Sequence, residues 1–131
     1  MATLSVTLAL DSTDATSDEL SVSVTDALTI GSPSVGLAKI TATTTGANSI
    51  IVPTGTAVTY LYVRHTGFQA DQATASTDNV DIEDTAEVAI SRLAPGEFAF
   101  FPANKAGGNT GIQLQTSAAT VVCEYGYWTK A

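Results

Sequence analysis

Basic residues are scarce in this chain. Lys39, Arg64, Arg92, Lys105 and Lys130 stand against thirteen acids, giving a net charge of -8 over 131 residues. A protein that binds a phosphate backbone needs the opposite balance, so the charge argues against a nucleic-acid partner. Charge of either sign is also sparse, at 14% of residues against roughly 25% in an average soluble chain. Ser, Thr and Ala take its place, and a surface of hydroxyls and small side chains suits strands that pack against something. Cys123 is the only cysteine, so no internal disulfide exists. In Val-Val-Cys-Glu-Tyr it reads as a small apolar strand residue, with no neighbouring base to lower its pKa. His65 is the only histidine, which rules out a His-based metal cluster, and no cysteine pair is there to help. A Ser–His–Asp triad lacks its Gly-x-Ser-x-Gly elbow, so His65 reads as a structural strand histidine. No apolar run approaches the roughly 18 residues of a membrane span. The first residues lack a basic n-region and alternate apolar with polar, unlike a secretory signal. No window has apolar residues spaced by three and four, so no helix is expected.

What is present is alternation. Hydrophobic residues make up 44%, enough for a real core in a chain of this length, read as one domain over residues 1–131. Leu4, Val6, Leu8 and Leu10 share one face of a strand over residues 3–10. Leu20, Val22, Val24, Leu28 and Ile30 do the same over 20–30, with Asp26 interrupting the face where a bend or bulge is expected. The two strands flank a Ser/Thr/Asp loop and read as a pair, an arm over residues 1–30 that contacts a neighbouring subunit. A Thr-rich strand follows over 37–45, a turn at 46–48, a short strand at 49–52 and a turn at 53–55. Residues 57–65 are the most strand-like run. Val58, Tyr60, Tyr62 and Arg64 lie on one face, Leu61, Val63 and His65 on the other, as in a central strand covered on both sides.

Residues 67–84 read as the longest irregular stretch, with a short strand around Val80 and Ile82; loops this long are functional or mobile. Residues 86–102 organise the chain as a hairpin. Val88 and Ile90 alternate with Ala89 and Ser91, Pro95-Gly96 fits the centre of a type II turn, and Glu97-Phe-Ala-Phe-Phe resumes a strand. A Gly/Asn loop spans 103–111, a short strand 112–115, and a last strand 119–128. Eight to ten short strands between Gly, Pro, Asn and Ser turns predict an all-β fold: an antiparallel β-sandwich, jelly-roll-like, with the N-terminal pair of strands extending outward.

Candidate sites are few. Asp11, Asp14, Asp18 and Glu19 crowd one loop, and Asp78, Asp81, Glu83 and Asp84 another. Neither matches a calcium loop, since the required Gly is missing, and both read as solvated acids. The aromatics Tyr60, Tyr62, Phe98, Phe100, Phe101, Tyr125, Tyr127 and Trp128 read first as core and second as a sugar-binding face. Trp128, near the C-terminus, is the one expected at a subunit contact. Gly107-Gly108 has no following Lys-Ser/Thr and is no phosphate loop. No set of nucleophile, base and stabiliser can be assembled, so no enzyme is expected.

Three runs carry a resemblance: Tyr60-Leu-Tyr-Val-Arg-His-Thr-Gly67, Ala89-Ile-Ser-Arg-Leu-Ala-Pro-Gly-Glu-Phe-Ala-Phe-Phe-Pro102, and Val121-Val-Cys-Glu-Tyr-Gly-Tyr127. In that order they resemble the small β-sandwich virion proteins of tailed bacteriophages, over roughly residues 36 to 128. The resemblance implies a capsid decoration (cement) protein or an accessory part of the tail or neck. It also implies trimers or other symmetric homo-oligomers, contact with the major capsid protein or other virion proteins, no enzyme activity and no cofactor. Assembly would take place in the host cytoplasm, without membrane or nucleic acid as partner. The contact is expected on the N-terminal strands and at the C-terminus, through Leu4, Val6, Leu8, Leu20, Val22, Val24 and Trp128. A glycan-binding host-recognition module, using exposed aromatics and the 67–84 loop, is the alternative.

Overall fold

The computed structural model describes residues 2–32, 37–56, 59–103 and 111–131. Val58, the Gly107-Gly108 pair and most of the 103–111 loop lie outside them. Ten strands are described, in two antiparallel sheets. The first sheet has the order β1-β2-β10-β5-β8, with β3 pairing β10 as well, and the second the order β4-β9-β6-β7. The strands are β1 (Ala2–Ser12), β2 (Leu20–Ser32), β3 (Ala38–Ala42), β4 (Ile50–Val52), β5 (Thr59–Gln69), β6 (Val80–Asp84), β7 (Ala89–Leu93), β8 (Phe98–Ala103), β9 (Ile112–Thr116) and β10 (Val121–Lys130). Among the described residues the only helical piece is a 3-10 turn at Gly46–Asn48.

The core lies between the sheets. Leu61, Val63, Val121 and Cys123 enter it from the first sheet, and Val80, Ile82, Ile112 and Leu114 from the second. All eight are essentially without solvent exposure. Period-two alternation places them there, because successive side chains of a strand point to opposite faces. Inside the first sheet, Leu61 stands between Phe101 and Tyr127 and Val63 between Ala99 and Tyr125. On its outer face, Tyr60 stands between Pro102 and Trp128, Tyr62 between Phe100 and Gly126, and Arg64 between Phe98 and Glu124.

Residues 86–102 do not form a hairpin. β7 pairs with β6 in the second sheet and β8 with β5 in the first. The stretch is a corner joining the two layers. Its turn is of the expected kind: Glu97 N–H donates to Ala94 C=O at 3.0 Å, and Gly96 adopts φ +87°, which an L side chain resists. Gly96 and Glu97 also bond the backbone of His65, at 3.2 and 2.9 Å, which fastens the corner to β5. The expected burial of Val88 and Ile90 is also reversed. Leu93 faces Val80 across the pair, and the register slips so that Ser91 faces Ile82 while Ala89 faces Glu83. Ile90 is the extra residue of this bulge. With Leu93 fixed in the core, Val88 and Ile90 turn to solvent.

The 67–84 stretch is irregular between β5, which runs on to Gln69, and β6, the strand expected around Val80 and Ile82; a turn closes with Gln69 N–H on Thr74 C=O at 2.9 Å, and Ser76 N–H bonds Gly67 C=O at 2.8 Å. Asp78 then fastens it to the chain before β10 by accepting from Ala119 N–H. At Asp26 the ladder continues without a bulge, Val6 opposite Asp26 and Leu8 opposite Val24. Asp26 is exposed, so its carboxylate stays hydrated and the strand has no reason to divert it.

Candidate functional site

β1 and β2 form one unbroken antiparallel ribbon, from the Ala2–Ile30 pair to the Ser12–Leu20 pair. Its register places Leu4 opposite Leu28, Leu8 opposite Val24 and Leu10 opposite Val22. Leu4, Val6, Leu8, Leu20, Val22 and Val24, all expected at a contact, therefore share one face. The other face carries small polar pairs such as Thr7 and Thr25, whose hydroxyls lie 3.0 Å apart. The ribbon joins the body only at its root, where Ile30 and Ser32 pair with Lys130 and Thr129. Towards the tip its apolar face stays open: Leu8 is 46% and Val24 55% exposed.

At the root, this apolar face and the outer face of the first sheet bound a common groove. Leu4 and Val6 line one wall, and Leu37, Tyr62, Phe100 and Trp128 the other. Trp128 is half-buried there and lines the groove together with the ribbon residues. Nearer the second half of the ribbon, Val6, Leu8 and Val24 stand beside Tyr60 and Pro102. Tyr60 stacks on Phe100 with centroids 6.3 Å apart, and Lys130 Nζ sits 4.9 Å from the Tyr60 ring centre, a cation–π contact. Phe98 is 64% exposed. The aromatics thus divide by parity: Phe101, Tyr125 and Tyr127 pack on the core, while Tyr60, Tyr62, Phe98, Phe100 and Trp128 lie outside. β5 is central, as expected, yet only its inner side is fully covered.

The outer face changes character beyond Phe98. Tyr62 and Phe98 adjoin Arg64, and Arg64 opens onto a cleft with Lys39, Thr66, Phe68, Gln72 and Glu124. Lys39 and Arg64 flank Glu124 on the neighbouring strands. Tyr62 Oη donates to the Glu124 carboxylate at 3.1 Å; burial first and this bond second raise the Tyr62 pKa above its ordinary value. Lys39 Nζ donates to Gln72 Oε1 at 3.3 Å. Sequence reasoning passed over this pair of cations. The signal was present in the alternation of β5, which puts Arg64 on the face of Tyr60 and Tyr62.

The remaining candidates are engaged within the fold. His65 is fully buried. Its Nδ1 accepts from Gly67 N–H at 2.9 Å, so Nε2 carries the proton and donates to Asp78 C=O at 2.8 Å. Both nitrogens are engaged by backbone. Cys123 is buried in the core, and burial pushes its thiol up to about 12, which keeps it protonated. The second acidic cluster is dispersed: Asp81 pairs with Arg92, Glu83 is buried against Gln113, and Asp84 accepts from Ala86 and Val88 N–H. Among the described residues no three His, Cys, Asp or Glu side chains are grouped to hold a metal ion, and no helix is long and apolar enough to cross a membrane. Protein-family models, curated proteins and solved structures yield no match to this chain.

Proposed function

We propose that this chain is a non-enzymatic structural protein that works by adhesion, as a decoration protein stabilising the head of a tailed phage through subunit contacts. The observation that carries the reading is the β1–β2 ribbon, a two-stranded projection held at one end with an apolar face open along its outer half. A free hairpin of this kind is marginal in water, and exposed Leu and Val in a continuous strip mark an interaction surface. Covering that strip is favourable at roughly 25 cal/mol per Å². Repeated by symmetry over a shell, such contacts add stability by mass action without any chemistry. Cryo-electron microscopy of purified particles tests the reading: density for this fold is expected on the outer shell with the ribbon at a contact. Its absence from every particle overturns the proposal.

The outer aromatic face favours a second reading, a tail or neck module that binds host glycan. Tyr60, Phe98, Phe100 and Trp128 stand on one side of one sheet, and stacked, half-exposed rings suit sugar faces. A glycan array decides it: reproducible hits lost on Phe98→Ala favour this reading, and an empty array removes it.

A further inference from the structure

The ribbon and the outer face of the first sheet match each other in pattern, and the match says what covers them. Along the ribbon, Leu8 and Val24, then Leu10 and Val22, then Leu20 lead to a loop bearing Asp14, Asp18 and Glu19. Asp11 and Asp26 are further acids, and the first base of the chain is Lys39. Beyond Asp26, which faces Val6, this face is apolar to its end, where the charges are all acidic. Along the outer face the order is the complement. The aromatic groove at Trp128 and Phe100 passes through Tyr62 and Phe98 to Arg64, and then to Lys39. Neither Lys39 nor Arg64 forms an ion pair among the described residues, where the one such pair joins Arg92 to Asp81.

A chain's own ribbon lines its groove through Leu4 and Val6 and, beside Tyr60, through Leu8, Val24, Asp26 and Leu28. The tip beyond the Leu8–Val24 pair, with Leu10, Val22 and Leu20, is left for another molecule. We infer that the occupant of the outer face is the ribbon of a second copy of this chain. Its Leu10, Val22 and Leu20 lie over Phe98, which is open to solvent, and its acidic tip lies against Lys39 and Arg64. The inference deepens the adhesive reading above and rests on it for the role of the ribbon. The contact is head-to-tail, one surface of each copy meeting a different surface of the next. Such contacts close into rings or run on as filaments. It also brings acids to Lys39 and Arg64, two cations with one carboxylate, Glu124, between them, in a chain whose net charge of -8 would otherwise oppose self-association.

The test is sedimentation equilibrium of the full chain, with far-UV circular dichroism to confirm folding. The wild type is expected to self-associate, less tightly as salt is raised. Lys39→Glu/Arg64→Glu and, separately, Asp14→Lys/Asp18→Lys each weaken association by about tenfold or more. The chain carrying all four changes recovers it, because the two charge reversals complement each other. Val88→Glu/Ile90→Glu, which adds charge on the other sheet, leaves it unchanged. A wild type monomeric up to its solubility limit overturns the inference, and so does an oligomer indifferent to the reversals or a fourfold variant that fails to recover. A monomer that still decorates particles through its ribbon would leave the adhesive reading standing and remove only the second copy as occupant.

Discussion

Glu83 and Gln113 face each other across β6 and β9, both buried, with Gln113 Nε2 donating to Glu83 Oε1 at 2.7 Å. The 3-10 turn lies over them. A Cβ on Gly46 would stand 2.2 Å from that same Nε2 and 2.8 Å from Glu83 Oε1. Gly46 is thus required for space, which lets the turn roof a polar pair on the outside of the second sheet. Gly46→Ala should destabilise by about 1–3 kcal/mol through overpacking. Gln113→Leu should cost about as much or more, because it leaves a buried carboxylate without its donor, whereas Glu83→Gln keeps an acceptor in place and should be milder. Thermal melts of the three variants check the order; a melting point for Gln113→Leu above that of Glu83→Gln would refute it.

His65 should be intolerant of apolar replacement, because both its ring nitrogens are bonded to backbone groups. His65→Phe leaves Gly67 N–H and Asp78 C=O without their imidazole partners, a loss of about 1–3 kcal/mol for each group left buried and unpaired. Urea unfolding should show a lower midpoint with little change in slope.

Cys123 should not react with a thiol reagent in the folded state at mildly alkaline pH, since its pKa is pushed up to about 12 by burial. One thiol per chain should be titrated once denaturant is added. Full labelling of the native protein within the mixing time would contradict the burial described above.

The Asp81–Arg92 pair, with contacts of 2.6 and 2.9 Å, sets a direction for pH dependence. Hydrogen bonding from Arg92 holds the Asp81 carboxyl below the usual range. A depressed folded pKa contributes stability that is present above the unfolded value, about 3.9 for Asp, and is lost as pH falls through the folded value. The gap in melting temperature between wild type and Asp81→Asn should therefore be small near neutrality, since the pair is at the surface, and should close as acid is added. A gap that widens in acid would reverse the assignment.

Leu8→Ser/Val24→Ser should leave the body folded, because these side chains are already half-exposed and lie beyond the root where the ribbon joins β10. Under the proposed adhesive role, particle docking should fall sharply. Comparison of melting curves with co-sedimentation on purified particles separates the two effects; unchanged docking would clear the ribbon of any role.

Alternation alone determined much of this molecule. Leu4, Val6 and Leu8 against Leu20, Val22 and Val24 form a ribbon with one apolar face, as their spacing requires, and Leu61 and Val63 point inward because Tyr60 and Tyr62 point out. The turn at Pro95-Gly96 was equally legible, since only a residue free of Cβ accepts that φ without strain. Which strand pairs with which was not legible. Residues 86–102 look like a hairpin locally and are a corner between layers, because the pairing of β7 with β6 and of β8 with β5 depends on partners far along the chain. Register decided the rest: β7 is set with Leu93 opposite Val80 in the core, so Ile90, of the opposite parity, faces solvent. Arg64 and Lys39 become neighbours of Glu124 only because β5, β10 and β3 lie side by side. Periodicity is a property of a few adjacent residues and survives in the sequence, whereas strand order and register are properties of distant contacts that exist only once the layers have closed.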